Sequence, residues 1–235
     1  MTAASKTLTT RREVLRRISQ TAAALALSPT LLSAGQLPSP ALRYRDGDEP
    51  ATPEAALEAL REGNRRFAAG KGSGPHRDLA RVKAVAAKQT PFAAVLTCAD
   101  SRLPVEILFD QGFGDVFVCR NAGNVVTSEE IASLEFGTLV LGAKVLLVLG
   151  HSACGAVKAS LAGEPVPGQI SALYQHIRPA ITGAGSDVEK AVAANVQYQT
   201  KLLESSPVLT QLVKERKLLI AGAVYDLATG RVREL

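Results

Sequence analysis

The sequence predicts an α/β fold: a single domain with a largely parallel central sheet flanked by helices, and an N-terminal helical arm. Short Val- and Leu-rich segments of strand length alternate with longer segments of helical period along most of the chain. Apolar residues make up 46% of the 235 residues, which is enough to bury a full core. Because Trp is absent and aromatic residues are few, we expect that core to be mainly aliphatic.

The pattern sets the order of the elements. A helix is predicted over 52–69, because Thr52 can cap it and Pro53 suits its first turn. A second helix is predicted over 79–87. The predicted strands are 92–97, 115–119, 145–150 and 217–223. The predicted helices that alternate with these strands are 128–142, 154–162, 168–182 and 186–204. The chain then turns at Thr229-Gly230 into a short edge strand.

The N-terminal segment has the composition of an export signal. The paired arginines Arg11-Arg12 and Arg16-Arg17 precede an Ala- and Leu-rich run over 18–32, which is followed by small residues. The paired arginines resemble a twin-arginine signal, which exports folded proteins. The alternative is an amphipathic helix of the folded protein, which the prolines at the end of this segment would break.

We therefore predict a removable signal peptide over 1–41, a linker over 42–51 and the folded domain over 52–235, with export to the periplasm. Residues 1–41 carry a net charge of +4 out of the +5 of the whole chain, so the mature domain is close to neutral. This charge distribution does not support a nucleic-acid partner. We expect no stable membrane insertion after removal of the signal, because its apolar run is too short and too mild.

Two short motifs each follow an apolar run of strand length. They are Cys98-Ala99-Asp100-Ser101-Arg102 and His151-Ser152-Ala153-Cys154. In parallel α/β sheets a site forms beyond the carboxyl ends of the strands, where both motifs should lie. Three of the six Cys and His residues of the chain fall in these motifs.

Two thiols and one imidazole suit a tetrahedral Zn²⁺ with one position left open, as in catalytic zinc sites. We therefore predict one Zn²⁺ per subunit, bound by Cys98, His151 and Cys154. The alternative is that both cysteines are small buried residues at strand ends. Cys119 has no such neighbour in the sequence and is interpreted as a core residue.

Asp100 and Arg102 extend this predicted site. Zinc-bound hydroxide is a nucleophile for a small electrophilic carbon, and Asp100 can accept a hydrogen bond from the bound water. Arg102 can hold the Asp100 carboxylate in a bidentate pair and keep it ionised. The alternative is a surface ion pair of little energetic value.

These motifs and their flanking segments resemble the β-class carbonic anhydrases. The matching blocks, in the order of the family, are 98–102, 114–124, 133–136 and 150–156. The resemblance covers about 52–235 and implies reversible hydration of CO₂ to bicarbonate and a proton by zinc-bound hydroxide. It implies that Cys98, His151 and Cys154 bind zinc and that Asp100 and Arg102 form the catalytic dyad. It also implies a homo-oligomer, a dimer or tetramer.

The resemblance further implies a substrate pocket, partly supplied by the neighbouring subunit. Plant-type members use Gln, Phe and Tyr there, and the matching positions are Gln89, Phe117 and Phe136, so Phe replaces Tyr. Gly155 is assigned to substrate binding with them. Ordinary core or interface packing is the alternative for the two Phe residues.

Some bacterial members of this family are switched by the dyad aspartate, which moves onto zinc. The resemblance thus implies Asp100 as a fourth ligand in a closed state, and the sequence leaves the open and closed states as alternatives. Those members use a Trp at the position of Val95, together with an Arg and a Tyr that Arg120 and Tyr225 could match.

Two other functions fit the same residues. One is hydrolysis of COS or CS₂ on this scaffold, and the other is non-catalytic binding of bicarbonate or zinc. Non-catalytic binding is disfavoured because a binding module does not need the Asp100–Arg102 pair. His76 and His176 are interpreted as ordinary exposed or packed histidines rather than proton shuttles.

Overall fold

The computed structural model describes residues 50–235. The predicted signal peptide, 1–41, and residues 42–49 of the predicted linker lie outside this range. The α-helices are α1 Pro53–Ala68, α2 Leu79–Val85, α3 Val105–Leu108, α4 Ser128–Glu135, α5 Gly155–Ala162, α6 Ser171–Ile181, α7 Val188–Leu203 and α8 Pro207–Lys214. The strands are β1 Ala93–Cys98, β2 Val116–Asn121, β3 Val145–His151, β4 Leu219–Tyr225 and β5 Val232–Glu234.

The strands form one five-stranded sheet in the order β2-β1-β3-β4-β5. The first four are parallel, and β5 pairs antiparallel with β4 at the edge. This arrangement confirms the predicted α/β fold with its largely parallel sheet and short terminal edge strand.

The central strands are apolar because both of their faces are covered. Every residue of β1 and of β3 is buried, as expected for parallel strands between two layers of helices. The apolar runs that predicted these strands therefore lie at the centre of the core, and the carboxyl ends of β1 and β3 lie side by side.

Helix α1 begins and ends as its sequence predicts. The Thr52 hydroxyl accepts a hydrogen bond from the N–H of Ala55, and Pro53 occupies the first turn. On its inner face, Gly63 lies so close to the segment after α3 that a Cβ atom would be 1.7 Å from the carbonyl oxygen of Phe109.

The buried carboxylate of Asp110 binds the backbone of the loop between α1 and α2. Asp110 is 1% exposed and accepts hydrogen bonds from Arg66 at 2.7 Å, from the N–H of Ser73 at 3.0 Å and from the N–H of Gly74 at 2.8 Å. Burial opposes ionisation, but these donors together lower the pKa of Asp110 to about 2.

Three details differ from the predicted elements. The helix predicted over 128–142 ends at Glu135 and continues as a π-helical turn, Phe136–Val140. Two further helices, the four-residue α3 and α8, are not among the predicted elements. Among the described residues, no helix combines the length and the apolar character needed to span a membrane.

Candidate active site

The three predicted metal ligands meet at the carboxyl edge of the sheet. Cys98 ends β1, His151 ends the neighbouring strand β3, and Cys154 is the N-cap of α5. Their ligand atoms all lie within 4.8 Å of one another, and all three residues are buried. The two Sγ atoms are 4.0 Å apart. The fold therefore brings together the two motifs that the sequence separates.

The donor set fits a zinc ion. The Nδ1 atom of His151 lies 3.0 Å from the carbonyl oxygen of Ser152, which fixes Nδ1 as the protonated nitrogen. The Nε2 atom then has a free lone pair, and it is buried without a hydrogen-bond partner among the described residues. Such a buried nitrogen is costly unless something binds it. Together with two thiols, it makes a three-ligand set of the kind that zinc prefers.

The two thiols do not ionise independently. The contact with Cys154 is the largest cause that lowers the pKa of Cys98, and the same contact is the largest cause that raises the pKa of Cys154. The contact therefore favours the thiolate at Cys98 and the protonated thiol at Cys154. The backbone N–H of Gly123 donates to the Sγ atom of Cys98 at 3.3 Å, which favours the thiolate there.

Asp100 and Arg102 form the expected pair beside the ligands. The guanidinium donates from Nε to Oδ1 at 2.9 Å and from Nη2 to Oδ2 at 2.7 Å. The bidentate pair with Arg102 is the main reason that the pKa of Asp100 is well below its usual range. The Oδ2 atom of Asp100 lies 3.8 Å from Nε2 of His151, which is too far for a hydrogen bond.

Arg120 supports the backbone of the first motif. Its Nε donates to the carbonyl oxygen of Cys98 at 3.2 Å, and its Nη2 donates to the carbonyl oxygen of Asp100 at 2.6 Å. The other two positions considered for a switched site, Val95 and Tyr225, are both buried, with 0% and 6% of their surface exposed.

The predicted substrate residues do not all lie together. Gly155 begins α5 next to Cys154, and there is open space where its side chain would be. The rings of Phe117 and Phe136 lie 6.4 Å apart. Gln89 is exposed and lines a surface cavity of about 610 Å³ with residues of 85–90 and 140–141, none of which is a predicted metal ligand. Gln89 precedes the first residue of β1 and Cys98 ends that strand, so within one chain Gln89 lies towards the opposite edge of the sheet from the ligands.

The remaining single residues have ordinary surroundings. Cys119 is half-buried against the core, and burial raises the pKa of its thiol to about 11. His76 contacts Asp115, with Nδ1 2.8 Å from Oδ2, and the ring of His176 lies 3.3 Å from the Nε2 atom of Gln175.

A group of residues around the ligands is not among the residues predicted from the sequence. Gly123 contacts Cys98 as described above, and Gly123 is in turn held by Asn195, which is 0% exposed. Gln199, one turn further along α7, is also 0% exposed. The sequence carries a signal for them, because Asn195 and Gln199 lie four positions apart and interrupt the apolar face of α7.

The chain is similar to known carbonic anhydrases. The sequence model of the family described as carbonic anhydrase matches residues 93–232. A carbonic anhydrase of Mycolicibacterium smegmatis is 38% identical over 191 residues, covering 77% of this chain and 93% of that protein. Carbonic anhydrase 2 of Mycobacterium tuberculosis is 36% identical over 188 residues, covering 76% of this chain and 91% of that protein.

Solved structures agree with this similarity. A tetrameric β-carbonic anhydrase of Sordaria macrospora superposes with a TM-score of 0.62 at 26% identity, covering 77% of this chain and 97% of that one. The Coccomyxa β-carbonic anhydrase in complex with acetazolamide superposes with a TM-score of 0.60 at 31% identity, covering 79% and 86%. With the fold, the ligand cluster and these relatives in agreement, the chain belongs to the carbonic anhydrase family of enzymes and has the fold of its β class.

Proposed function

We propose that this chain catalyses the reversible hydration of CO₂ to bicarbonate and a proton with a zinc ion held by Cys98, His151 and Cys154. One observation supports this proposal above the others: the bidentate Asp100–Arg102 pair lies directly beside the ligand cluster. A site that only bound zinc or bicarbonate would not need an ionised carboxylate held there.

The residues around the ligands have separate roles in this reaction. Zinc, when bound, supplies the Lewis acidity that ionises water near neutral pH. Asp100 is ionised and therefore only accepts hydrogen bonds, so it can orient the lone pair of an attacking water towards carbon. Arg102 fixes the carboxylate at two oxygens, which limits its rotation. The missing side chain of Gly155 leaves room beside Cys154 for a small linear substrate.

We also propose that the active form is a homo-oligomer, a dimer or tetramer. The solved relative from Sordaria macrospora is described as tetrameric. In this chain, Phe136, Leu139 and Val140 are 47%, 57% and 63% exposed, an apolar patch of the kind that a second copy covers. Gln89 lines a cavity with Val140, so a second copy that covers this patch would also lie against Gln89.

The proposed reaction is tested by stopped-flow CO₂ hydration with zinc-loaded and chelator-treated protein. We expect zinc-dependent acceleration, its loss in Cys154→Ser, and a large decrease in Asp100→Asn. The matched control is Asp78→Asn, because Asp78 caps α2 in an exposed position where Asn caps as well. No zinc-dependent acceleration would refute the proposal, and faster turnover of COS or CS₂ would identify the chain as a hydrolase of those compounds.

We further propose that residues 1–41 are a twin-arginine signal peptide and that the enzyme works in the periplasm. Export of a folded chain would let zinc bind Cys98 and Cys154 while both thiols are still reduced. Mass spectrometry of the N-terminus in periplasmic and cytoplasmic fractions tests this. An intact Met1 confined to the cytoplasmic fraction would refute it.

A further inference from the structure

The loop after β2 carries a donor to one of the thiols. This loop, residues 121–126, is called here the thiolate loop. The backbone N–H of Gly123 within it donates to Sγ of Cys98 at 3.3 Å. Donors to a ligand atom orient it and tune its affinity for a metal, so the position of this loop bears directly on the ligand cluster.

Two amide side chains of α7 hold the thiolate loop. Asn195 donates from Nδ2 to the carbonyl oxygen of Gly123 at 2.9 Å. Gln199 accepts at Oε1 from the N–H of Val126 at 2.8 Å. The two amides are joined to each other, because Nε2 of Gln199 donates to Oδ1 of Asn195 at 3.0 Å. Both side chains are 0% exposed, so water does not compete for these bonds.

The backbone fixes the orientation of both amides. The carbonyl of Gly123 only accepts, so the nitrogen of Asn195 must face it, and the N–H of Val126 only donates, so the oxygen of Gln199 must face it. The remaining oxygen of Asn195 and nitrogen of Gln199 then face each other. Gln199 also donates to the carbonyl oxygen of His176 at 2.9 Å, which ties the pair to α6. Only one orientation of each amide therefore satisfies the backbone groups of Gly123, Val126 and His176.

Close packing against α5 and α6 limits the movement of the thiolate loop. Gly123 has a φ of +86°, and a Cβ atom there would lie 2.8 Å from Cδ1 of Ile177 and 3.2 Å from Cβ of Ala156. The Asn121 side chain closes the loop from within, since it donates to the carbonyl oxygen of Val125 and accepts from its N–H, both at 2.8 Å. The position of the Gly123 N–H is therefore set jointly by packing and by the amide pair.

We propose that Asn195 and Gln199 are positioning residues for the metal site: they hold the Gly123 N–H on the Cys98 sulfur and thereby increase the affinity for zinc. This inference rests on the proposed zinc ligands. The pair lies on α7, which carries none of the proposed ligands, and the hydrogen bonds of the two amides go to the thiolate loop, to each other and to α6 rather than to a ligand, so the pair acts through the loop. A purely structural role would change stability and leave the metal site as it is.

The test compares Asn195→Leu, which removes the donor at similar volume, with Thr200→Val as the matched control. Thr200 is on the same helix, and its hydroxyl donates to the carbonyl oxygen of Val196 at 2.8 Å without reaching the loop. Zinc affinity is measured by competition with a chromophoric chelator. We expect Asn195→Leu to lower it by about tenfold, at the low end for loss of a supporting partner. We expect Thr200→Val to keep the wild-type affinity.

A spectroscopic signature separates positioning from stability. In the Co²⁺-loaded protein, the thiolate-to-cobalt charge-transfer band should move to lower energy in Asn195→Leu, because an N–H donor lowers the energy of the sulfur electrons. Wild-type affinity and an unmoved band, with only a lower melting temperature, would overturn the proposal. If Asn195→Leu does not fold, Gln199→Met receives the same two measurements, and wild-type values there would overturn it. Failure of the wild-type protein to bind zinc would instead refute the proposed function.

Discussion

Arg102 holds both carboxylate oxygens of Asp100, with Nε 2.9 Å from Oδ1 and Nη2 2.7 Å from Oδ2. The backbone N–H of Arg102 adds a third hydrogen bond to Oδ1 at 3.0 Å. The side chain of Asp100 is 18% exposed and that of Arg102 is 56% exposed, so the pair is accessible to substrate and solvent. Such a pair contributes little to stability, and its value lies in orientation.

Replacing Arg102 should therefore reduce catalysis rather than stability. Arg102→Lys keeps the charge but loses the planar two-point contact, so the carboxylate of Asp100 can rotate. We expect kcat for CO₂ hydration to fall by about 100-fold, the size of effect that a small misplacement of a reacting group can have. Stopped-flow kinetics measures kcat, and thermal unfolding should show a melting temperature close to that of the wild type. An unchanged kcat would contradict the orienting role.

Zinc should stabilise the folded chain through its three proposed ligands. A ligand that binds only the folded state at about 100 times its dissociation constant adds about 2.7 kcal/mol to the free energy of unfolding. We expect a zinc-dependent rise in melting temperature that Cys154→Ser removes. Cys119→Ser is the matched control, because Cys119 is a half-buried thiol outside the ligand cluster. Equal zinc effects in both variants would contradict the assignment of Cys154.

Asp110 should make stability depend on pH in the acid range. Its pKa is about 2 in the folded state, below the value of about 3.9 for an unperturbed aspartate. The stabilisation is therefore fully present above pH about 4 and is lost as the pH falls towards 2. Asp110→Asn should reduce the free energy of unfolding at pH 7 by about 2 kcal/mol, because it loses charged hydrogen bonds.

The free energies of unfolding of the wild type and of Asp110→Asn should become similar in acid. Denaturant unfolding between pH 7 and pH about 2 measures this, with the difference shrinking as wild-type Asp110 takes up its proton. Asn tolerates the positive φ of 49° at this position, so backbone strain does not confuse the comparison. A difference that stays constant with pH would contradict the role of the charge.

Gly63 should be essential for packing α1 on the segment after α3. In a helix, Ala is favoured over Gly by about 1 kcal/mol, so Gly63→Ala would be stabilising if space allowed. Its Cβ would lie 1.7 Å from the Phe109 carbonyl oxygen, a contact that the backbone must move to relieve. We expect a loss of about 3 kcal/mol in the free energy of unfolding. Gly183→Ala, with nothing within 4 Å of its Cβ, should cost far less in the same denaturant titration.

The sequence was a good guide to the strands and to the ligand cluster. The runs before Cys98 and His151 are apolar because β1 and β3 are buried on both faces, and burial of this kind leaves a clear pattern. Once two parallel strands are adjacent, their ends must meet. The proximity of the ligands therefore followed from topology, without knowledge of any side-chain conformation.

Other features depend on contacts that no local pattern records. The turn after Glu135 is π-helical rather than α-helical, and Gly137 there lies against Phe117, where a Cβ would be 2.8 Å from the ring. Helix α8 did carry a local signal, since Ser206 caps it and Pro207 opens it. The support of Gly123 by Asn195 joins residues 72 positions apart, and only the packing of α7 beneath the thiolate loop brings them together.

The position of the ligands also has a kinetic consequence. Cys98 and Cys154 are 56 positions apart along the chain, and their Sγ atoms come within 4.0 Å only when β1 and β3 have paired and α5 has docked. A partly assembled chain therefore offers a cation separate thiols rather than a site. Bound zinc should accordingly leave the refolding rate nearly unchanged and slow the rate of unfolding. The lifetime of the folded enzyme, rather than the speed at which it forms, is then what the metal controls.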